Sequence, residues 1–218
     1  MAGFFLTFEG VEGGGKTTQA RLLAEALRER EHTVLVTREP GGTEIGKVLR
    51  RLVLEPAGAP LAAEAELLLL LADRAQHVRD VILPGLRADA VVISDRFLDS
   101  TIAYQGYGRG IPLDLLHRLN SFASQACLPD FTVLLDVSVE VGLQRASQSR
   151  GASEVDRFEA QTHDFHQRVR QGFLAVAREH PGRVCVVDAD QAVDRIHRQI
   201  VSIVLERMGQ AASPKPQT

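Results

Sequence analysis

Five short apolar runs rich in β-branched and aromatic residues punctuate the chain: Phe4–Glu9, Thr33–Thr37, Ala90–Ser94, Phe131–Val137 and Arg183–Asp188. Their hydrophobic positions are consecutive rather than alternating, which predicts strands covered on both faces, as in a parallel sheet. Between the runs the period changes to that of a helix. Ile45, Val48, Leu49, Leu52 and Val53 form one apolar stripe with Arg50, Arg51 and Glu55 outside it, and Ala20, Leu23, Ala24 and Leu27 do the same for the first helix. Leu67–Leu71 is apolar all round, which predicts a helix buried between neighbours, and Pro84 marks a kink or a stop. Further helices are expected at about Leu113–Ala126, Glu140–Gln148, Phe158–Glu179 and Ala192–Met208. Such alternation implies right-handed β-α-β crossovers and a three-layer α/β domain over 1–208, with 209–218 too poor in apolar residues to order itself and read as a disordered tail.

Composition narrows this little. At 218 residues and 44% hydrophobic content the chain can bury a core without metal or disulfide staples. A formal net charge of -3 supplies no global field for nucleic acid or an anionic membrane, so neither is an expected partner, and any affinity for polyanions must be local. Cys127 and Cys185 lie far apart within apolar runs and read as buried free thiols of a reducing compartment. Met1–Phe8 lacks the features of a signal peptide, and no apolar run is long enough to span a bilayer, so the expected location is cytoplasmic.

Chemistry enters where the first strand runs into Gly10-Val11-Glu12-Gly13-Gly14-Gly15-Lys16-Thr17 and a helical pattern begins at Thr18. This is G-x-x-x-x-G-K-[ST] between a strand and a helix. Glycines let successive backbone N–H groups turn inward on phosphate oxygens, and the helix N-terminus adds partial positive charge. Lys16 would bridge the β- and γ-phosphates of ATP, and Thr17 would offer its hydroxyl to Mg²⁺. No N-K-x-D guanine-reading motif occurs, and the short chain lacks a basic, aromatic-studded face, so a small phosphotransferase is favoured over a GTPase or a motor. Transfer between nucleotides needs cations at the carboxyl ends of strands. Arg38 and Arg96 stand there, with Asp95 placed to orient Mg²⁺ or its water. Arg145 and Arg150 flank the polar stretch Gln148–Ala152, which reads as a lid at about 145–158.

Taken with Phe8–Gln19, the ordered segments Thr37-Arg38-Glu39-Pro40-Gly41-Gly42-Thr43, Asp73-Arg74-Ala75-Gln76-His77 and Asp95-Arg96-Phe97 through Ser100 and Ala103-Tyr104-Gln105-Gly106 resemble bacterial thymidylate kinases over about Phe4 to Leu205. The resemblance implies a P-loop nucleoside-monophosphate-kinase fold with a five-stranded parallel sheet, usually in a homodimer. It implies ATP- and Mg²⁺-dependent phosphorylation of dTMP to dTDP on the way to dTTP. By the same resemblance Glu12 helps hold the acceptor phosphate through a cation or water, and Arg96 grips that phosphate. Arg74 donates to the thymine edge, Ser100, Thr101 and Gln105 read the base, and Tyr104 crowds the 2′ position. Arg145 packs on adenine, and Glu39 and Pro40 line the substrate, with a cis bond between them in many members. The variable P-loop positions carry no base, so the lid arginine, taken as Arg150, supplies the catalytic charge.

Two positions depart from the family pattern. Leu70 stands where a phenylalanine usually stacks on thymine, which predicts weaker dTMP binding or looser base selectivity, and Glu31 stands where glycine is the natural residue after the first helix. Leu70 leaves open a kinase for another nucleoside monophosphate or a deoxynucleoside. A nucleotide-sensing module without turnover is disfavoured by the intact Lys16, Thr17, Asp95 and Arg96.

Overall fold

The structure is a computed structural model that describes residues 3–55, 61–150 and 157–212, the side chains of 149, 150, 211 and 212 excepted. The five apolar runs are five strands, β1 (Phe4–Glu9), β2 (Val34–Arg38), β3 (Val91–Asp95), β4 (Phe131–Asp136) and β5 (Val184–Asp188). They form one sheet in the order β2-β3-β1-β4-β5, with every pairing parallel. β1 is central and buried throughout. The outer strands β2 and β5 expose Val36 and Val186, because an edge strand lacks a neighbour and full helix cover. Register brings Arg38 and Phe8 level with Asp95, so the polar carboxyl ends of β1, β2 and β3 gather at one edge. The chain leaves β1 for one side of the sheet and β4 for the other, which opens a crevice at that edge.

Helices cover both faces. α1 (Lys16–Arg28) follows the glycine loop and buries Leu23, Ala24 and Leu27, the predicted stripe. α2 (Glu44–Leu54) begins at Thr43, whose Oγ1 accepts from the Gly46 N–H at 2.9 Å. Its stripe departs from expectation. Val53 is buried, but Ile45, Val48 and Leu52 are 55%, 47% and 55% exposed, because the helix turns that face away from the sheet.

α3 (Ala63–His77) continues through a π-helical stretch, Val78–Ile82, into α4 (Leu83–Arg87). Pro84 sits in the first turn of α4, directly after the π-helical stretch, and the helical path continues through it where a kink or stop was expected. α5 (Leu98–Thr101) and a second π-helical stretch, Ile102–Gly108, form an element that periodicity did not reveal, and α6 (Leu113–Ala123) follows. α7 (Val139–Arg150) carries the start of the expected lid, of which 151–156 lie outside the described residues.

α8 (His163–Glu179) starts later than expected because Thr162 caps it by accepting from the Phe165 N–H at 3.3 Å. That leaves Phe158 in a preceding turn. α9 (Val193–Ala212) runs four residues beyond the expected end at Met208, so 209–212 belong to a helix rather than to a disordered tail. Gln210 supports it by donating to Glu206 at 3.2 Å, while 213–218 lie outside the described residues. None of the described helices is long and apolar enough to cross a membrane.

After α1 the turn closes with His32 N–H donating to the Leu27 carbonyl at 3.1 Å and Glu31 N–H to the Arg28 carbonyl at 2.9 Å. Glu31 sits in the left-handed region at φ 64°, a conformation that disfavours any residue with a Cβ. Glu31→Gly is expected to raise stability by about 0.5–1 kcal/mol, a Tm gain of about 2 °C, whereas Glu31→Ala gains nothing. Thermal unfolding of the two variants beside the parent checks this.

Candidate active site

The crevice holds a cleft of ≈ 570 Å³ lined from the P-loop, the β2 and β3 ends, α3, α5, the Ile102–Gly108 stretch, α7 and Phe158. The loop between β1 and α1 depends on Gly13. Its φ is 68°, and a Cβ there would drive into the Gly142 carbonyl. Gly15, at φ 85°, caps α1 without a side chain and leaves the first N–H groups of the helix pointing into the loop. Lys16 folds back on that loop, donating to the carbonyls of Gly10 at 3.1 Å and Val11 at 2.8 Å. Burial, helped by the nearby Arg96 charge, pushes Lys16 down to about 8, against the pull of Glu12, Asp95 and Glu9. Thr17 donates its hydroxyl to Asp95 at 2.5 Å, which joins the end of the loop to the end of β3.

Arg96 stands at the centre. It adopts φ 72°, and its Nη1 donates to the Gly10 carbonyl at 2.9 Å and to Ser100 Oγ at 3.3 Å. Its Nη2 donates to Glu12 at 2.7 Å and Tyr104 Oη at 3.2 Å, and Tyr104 donates in turn to Glu12 at 2.9 Å. Burial opposes its charge, but Glu12, Tyr104, Asp95 and Glu9 outweigh that and hold Arg96 above the usual arginine range. Behind it lies Glu9, which the sequence reading did not single out. One Glu9 oxygen accepts from the N–H groups of Phe97 at 2.8 Å and Ser100 at 3.3 Å, and the other from Ser100 Oγ at 2.6 Å. Burial, reinforced by Asp99, pushes Glu9 up to about 8, while Ser100, Arg96 and Phe97 pull it down.

On the far wall Arg74 is buried and multiply bonded. It donates through Nε to Glu39 at 2.9 Å, through Nη1 to Thr101 at 2.8 Å and Asn120 at 2.5 Å, and through Nη2 to the Phe97 carbonyl at 3.0 Å. One Nη2 proton is left for a ligand. Glu39 precedes Pro40 through a cis peptide bond and also meets His77 at 2.9 Å. Asp73 accepts from the Gly41 N–H at 3.0 Å, and burial, with Glu39 nearby, pushes it up to about 6. Leu70, Thr101, Tyr104 and Gln105 all line the cleft, and so does Phe158, whose ring meets Tyr104 edge-on at 5.3 Å. Phe158 was hidden in the sequence by the helix expected to begin there.

Arg145 lies at the rim, donating to the Ala189 carbonyl at 2.8 Å and to Asp190 at 3.0 Å. Arg38 lines the cleft exposed, and no described residue pairs with its charge. Arg150 closes α7, but its side chain lies outside the described residues. The remaining site residues named from the sequence are brought to this one cleft or to the loop that floors it.

A P-loop at the switch point of a parallel sheet, with arginines facing it from neighbouring strand ends and a second pocket beside it, defines a nucleoside monophosphate kinase. The family model for thymidylate kinase matches residues 8–200. Among relatives, the thymidylate kinase of Maridesulfovibrio salexigens is 50% identical over 94% of this chain and 96% of its own. That of Carboxydothermus hydrogenoformans is 51% identical over 92% and 96%. A crystal structure of thymidylate kinase from Ehrlichia chaffeensis superimposes with a TM-score of 0.75 at 36% identity, covering 94% of this chain and 99% of that one. The chain belongs to the thymidylate kinase family.

A phosphate chain against Lys16 restores its proton affinity, so binding a polyphosphate favours the protonated lysine. Below pH 8 Lys16 is already charged and its contribution to affinity is flat. Above about 8 binding must take up a proton, and the Kd for ATP is expected to rise by up to about tenfold per pH unit. Calorimetry in buffers of different ionisation enthalpy should show that uptake, and Lys16→Met should abolish it along with most of the affinity.

Proposed function

We propose that this chain transfers the γ-phosphoryl group of ATP to dTMP, forming dTDP. The observation that carries the reading is Arg96, held at the end of β3 against both the P-loop carbonyl of Gly10 and the P-loop carboxylate of Glu12. A cation in that position meets an acceptor phosphate beside the loop that cradles the donor. An oxygen of the dTMP phosphate attacks the γ-phosphorus, and the bond from that phosphorus to the bridging β-γ oxygen breaks, releasing ADP. The attacking oxygen is already anionic, so the site has no proton to remove and its task is orientation and charge neutralisation.

Lys16 leaves the carbonyls of Gly10 and Val11 for the β- and γ-phosphates, the loop N–H groups of Gly13 to Thr18 line them, and Arg145 covers the adenine. Arg96 exchanges part of its clasp on Glu12 for the dTMP phosphate, and Arg150 in the lid completes the charge around the transferring group. Thr17 and Asp95 present adjacent hard oxygens next to the phosphate loop, a donor pair that suits Mg²⁺ held mainly by water and phosphate, and these two residues would hold it. When bound, that ion neutralises phosphate charge. Arg74 donates its remaining proton to the base edge, and Tyr104, wedged against Phe158 and Phe173, fills the space a 2′-hydroxyl would need.

The same reading covers the exposed stripe on α2. Ile45, Val48 and Leu52 there, Leu68 on α3, and Leu115 and Phe122 on α6 are apolar and exposed on three helices that pack side by side. A second copy of the chain covers them in the homodimer proposed here. The two free thiols, Cys127 and Cys185, fit a cytoplasmic setting.

An ADP-release assay with ATP and Mg²⁺ should show turnover with dTMP far above that with dCMP, dGMP or AMP, and no turnover with dTMP would sink the reading. Arg96→Ala is expected to lower kcat/KM by about a thousandfold, since it removes charge from the phosphate in the transition state. Leu70→Phe supplies the missing face for the base and should lower the KM for dTMP by about tenfold, as stacking of roughly 1–3 kcal/mol implies. Light scattering of Leu52→Glu should find a monomer where the parent is a dimer.

A further inference from the structure

Behind the base-facing wall lies a buried ion pair that the phosphoryl chemistry does not use. Glu66, on α3, is buried, and both of its oxygens accept from Arg109, one from Nε at 3.2 Å and the other from Nη2 at 3.0 Å. The Glu66 oxygen that meets Nε also accepts from Gln105 Nε2 at 2.9 Å. Arg109 is fixed in turn. Its Nη1 donates to Gln161 at 2.8 Å and its guanidinium lies 4.7 Å from the centre of the Phe165 ring. Gln161 donates to the Arg157 carbonyl at 2.8 Å, which ties the pair to the turn that carries Phe158.

A glutamine side chain is ambiguous by itself, because its two ends are nearly the same shape and opposite in hydrogen-bonding sense. Here the ambiguity is removed. A carboxylate engaged by an arginine only accepts, so Gln105 must turn its NH₂ to Glu66, since the inverted amide would set two acceptors against each other in a buried place. Its Oε1 is therefore the end presented to the cleft, and no described residue donates to it. Arg74, which lines the same cleft, offers one unspent N–H. The wall thus presents a donor and an acceptor. A thymine ring matches this with its O4 acceptor next to its N3–H donor, and cytosine opposes it at both positions.

We propose that the Glu66–Arg109 pair sets the hydrogen-bonding polarity of Gln105 and through it the selection of thymine over cytosine. Glu66 and Arg109 are positioning residues, and the proposal rests on the reading that Gln105 faces the base. In Glu66→Gln the partner of Gln105 can accept or donate, so the Gln105 amide is free to invert. The ratio of kcat/KM for dTMP over dCMP is expected to fall by about tenfold or more, with dTMP weakened and dCMP improved, while the KM for ATP holds. A purely structural role would lower turnover with both substrates and the Tm, and would leave that ratio alone.

Should Glu66→Gln not fold, the double variant Glu66→Met with Arg109→Met removes both charges together, a change often tolerated in cores, and reads the same ratio. Gln105→Ala separates the two layers of the argument. An unchanged ratio in Gln105→Ala overturns the base-facing reading and this proposal with it. A collapsed ratio there, with an unchanged ratio in the folded position-66 variant, overturns the role of the pair alone.

Discussion

Arg96 at positive φ is the constraint around which the site is arranged. A non-glycine residue in the left-handed region costs about 1–2 kcal/mol and persists only when its surroundings over-determine it. The backbone on either side is pinned. Arg96 N–H donates to the Phe8 carbonyl at 2.9 Å, Ser94 Oγ donates to the Arg96 carbonyl at 2.7 Å, and the next N–H, that of Phe97, goes to Glu9. The left-handed turn stops β3 abruptly, sends the side chain back over the P-loop, and starts α5, which carries Ser100 and Thr101 and leads on to Tyr104 and Gln105. One backbone conformation therefore positions the phosphate clamp and the base wall together. It also explains why Glu9 tolerates burial in a medium that disfavours its charge. Three donors converge on it, and they belong to the turn that must be held.

Much of this was legible in the chain. All five strands fall within a residue or so of the apolar runs, because strands buried on both faces advertise themselves by unbroken hydrophobicity. The P-loop and the cationic strand ends were equally plain, since their chemistry is local in sequence. What escaped depends on distant partners. Leu98–Gly108 reads as a polar motif rather than a helix because its inward residues include Asp99, Thr101 and Gln105, whose partners lie on β4, α3 and the turn before β5. Phe158 looked like the first residue of α8, but the cap at Thr162 turns it into the cleft. The stripe on α2 has the period of a core helix, and period alone does not say whether the cover comes from the same chain or a second copy. Asp73 and Glu9 became significant only through burial, which spacing does not encode.

Leu70 sharpens the question of how a small pocket chooses its base. Without an aromatic face at that position, discrimination falls on the edge contacts, where a mispaired buried donor or acceptor is far more costly than a lost methylene contact. Edge contacts discriminate only if they do not turn over. Arg74 satisfies this because four of its donors are committed to Glu39, Thr101, Asn120 and the Phe97 carbonyl, so the remaining proton points one way. Hydrogen bonds made away from the ligand thus decide what the ligand meets.

The phosphate side follows the same logic with charge in place of polarity. Lys16 rests on two loop carbonyls, Arg96 on a carbonyl and Glu12, and Arg145 on a carbonyl and Asp190. Each cation is oriented, yet at least one of its partners is a backbone carbonyl that a phosphate can displace, since a dianion outcompetes a neutral carbonyl for a cation. Were the same cations unpaired, their burial would be too costly for the fold. Were they all in exclusive salt bridges, substrate would have to break them. Arg38, exposed and unpaired among the described residues, needs no such holding contact because water already solvates it. Shared satisfaction by loop carbonyls and single carboxylates keeps a cationic cleft folded and ready in a chain whose net charge is only -3.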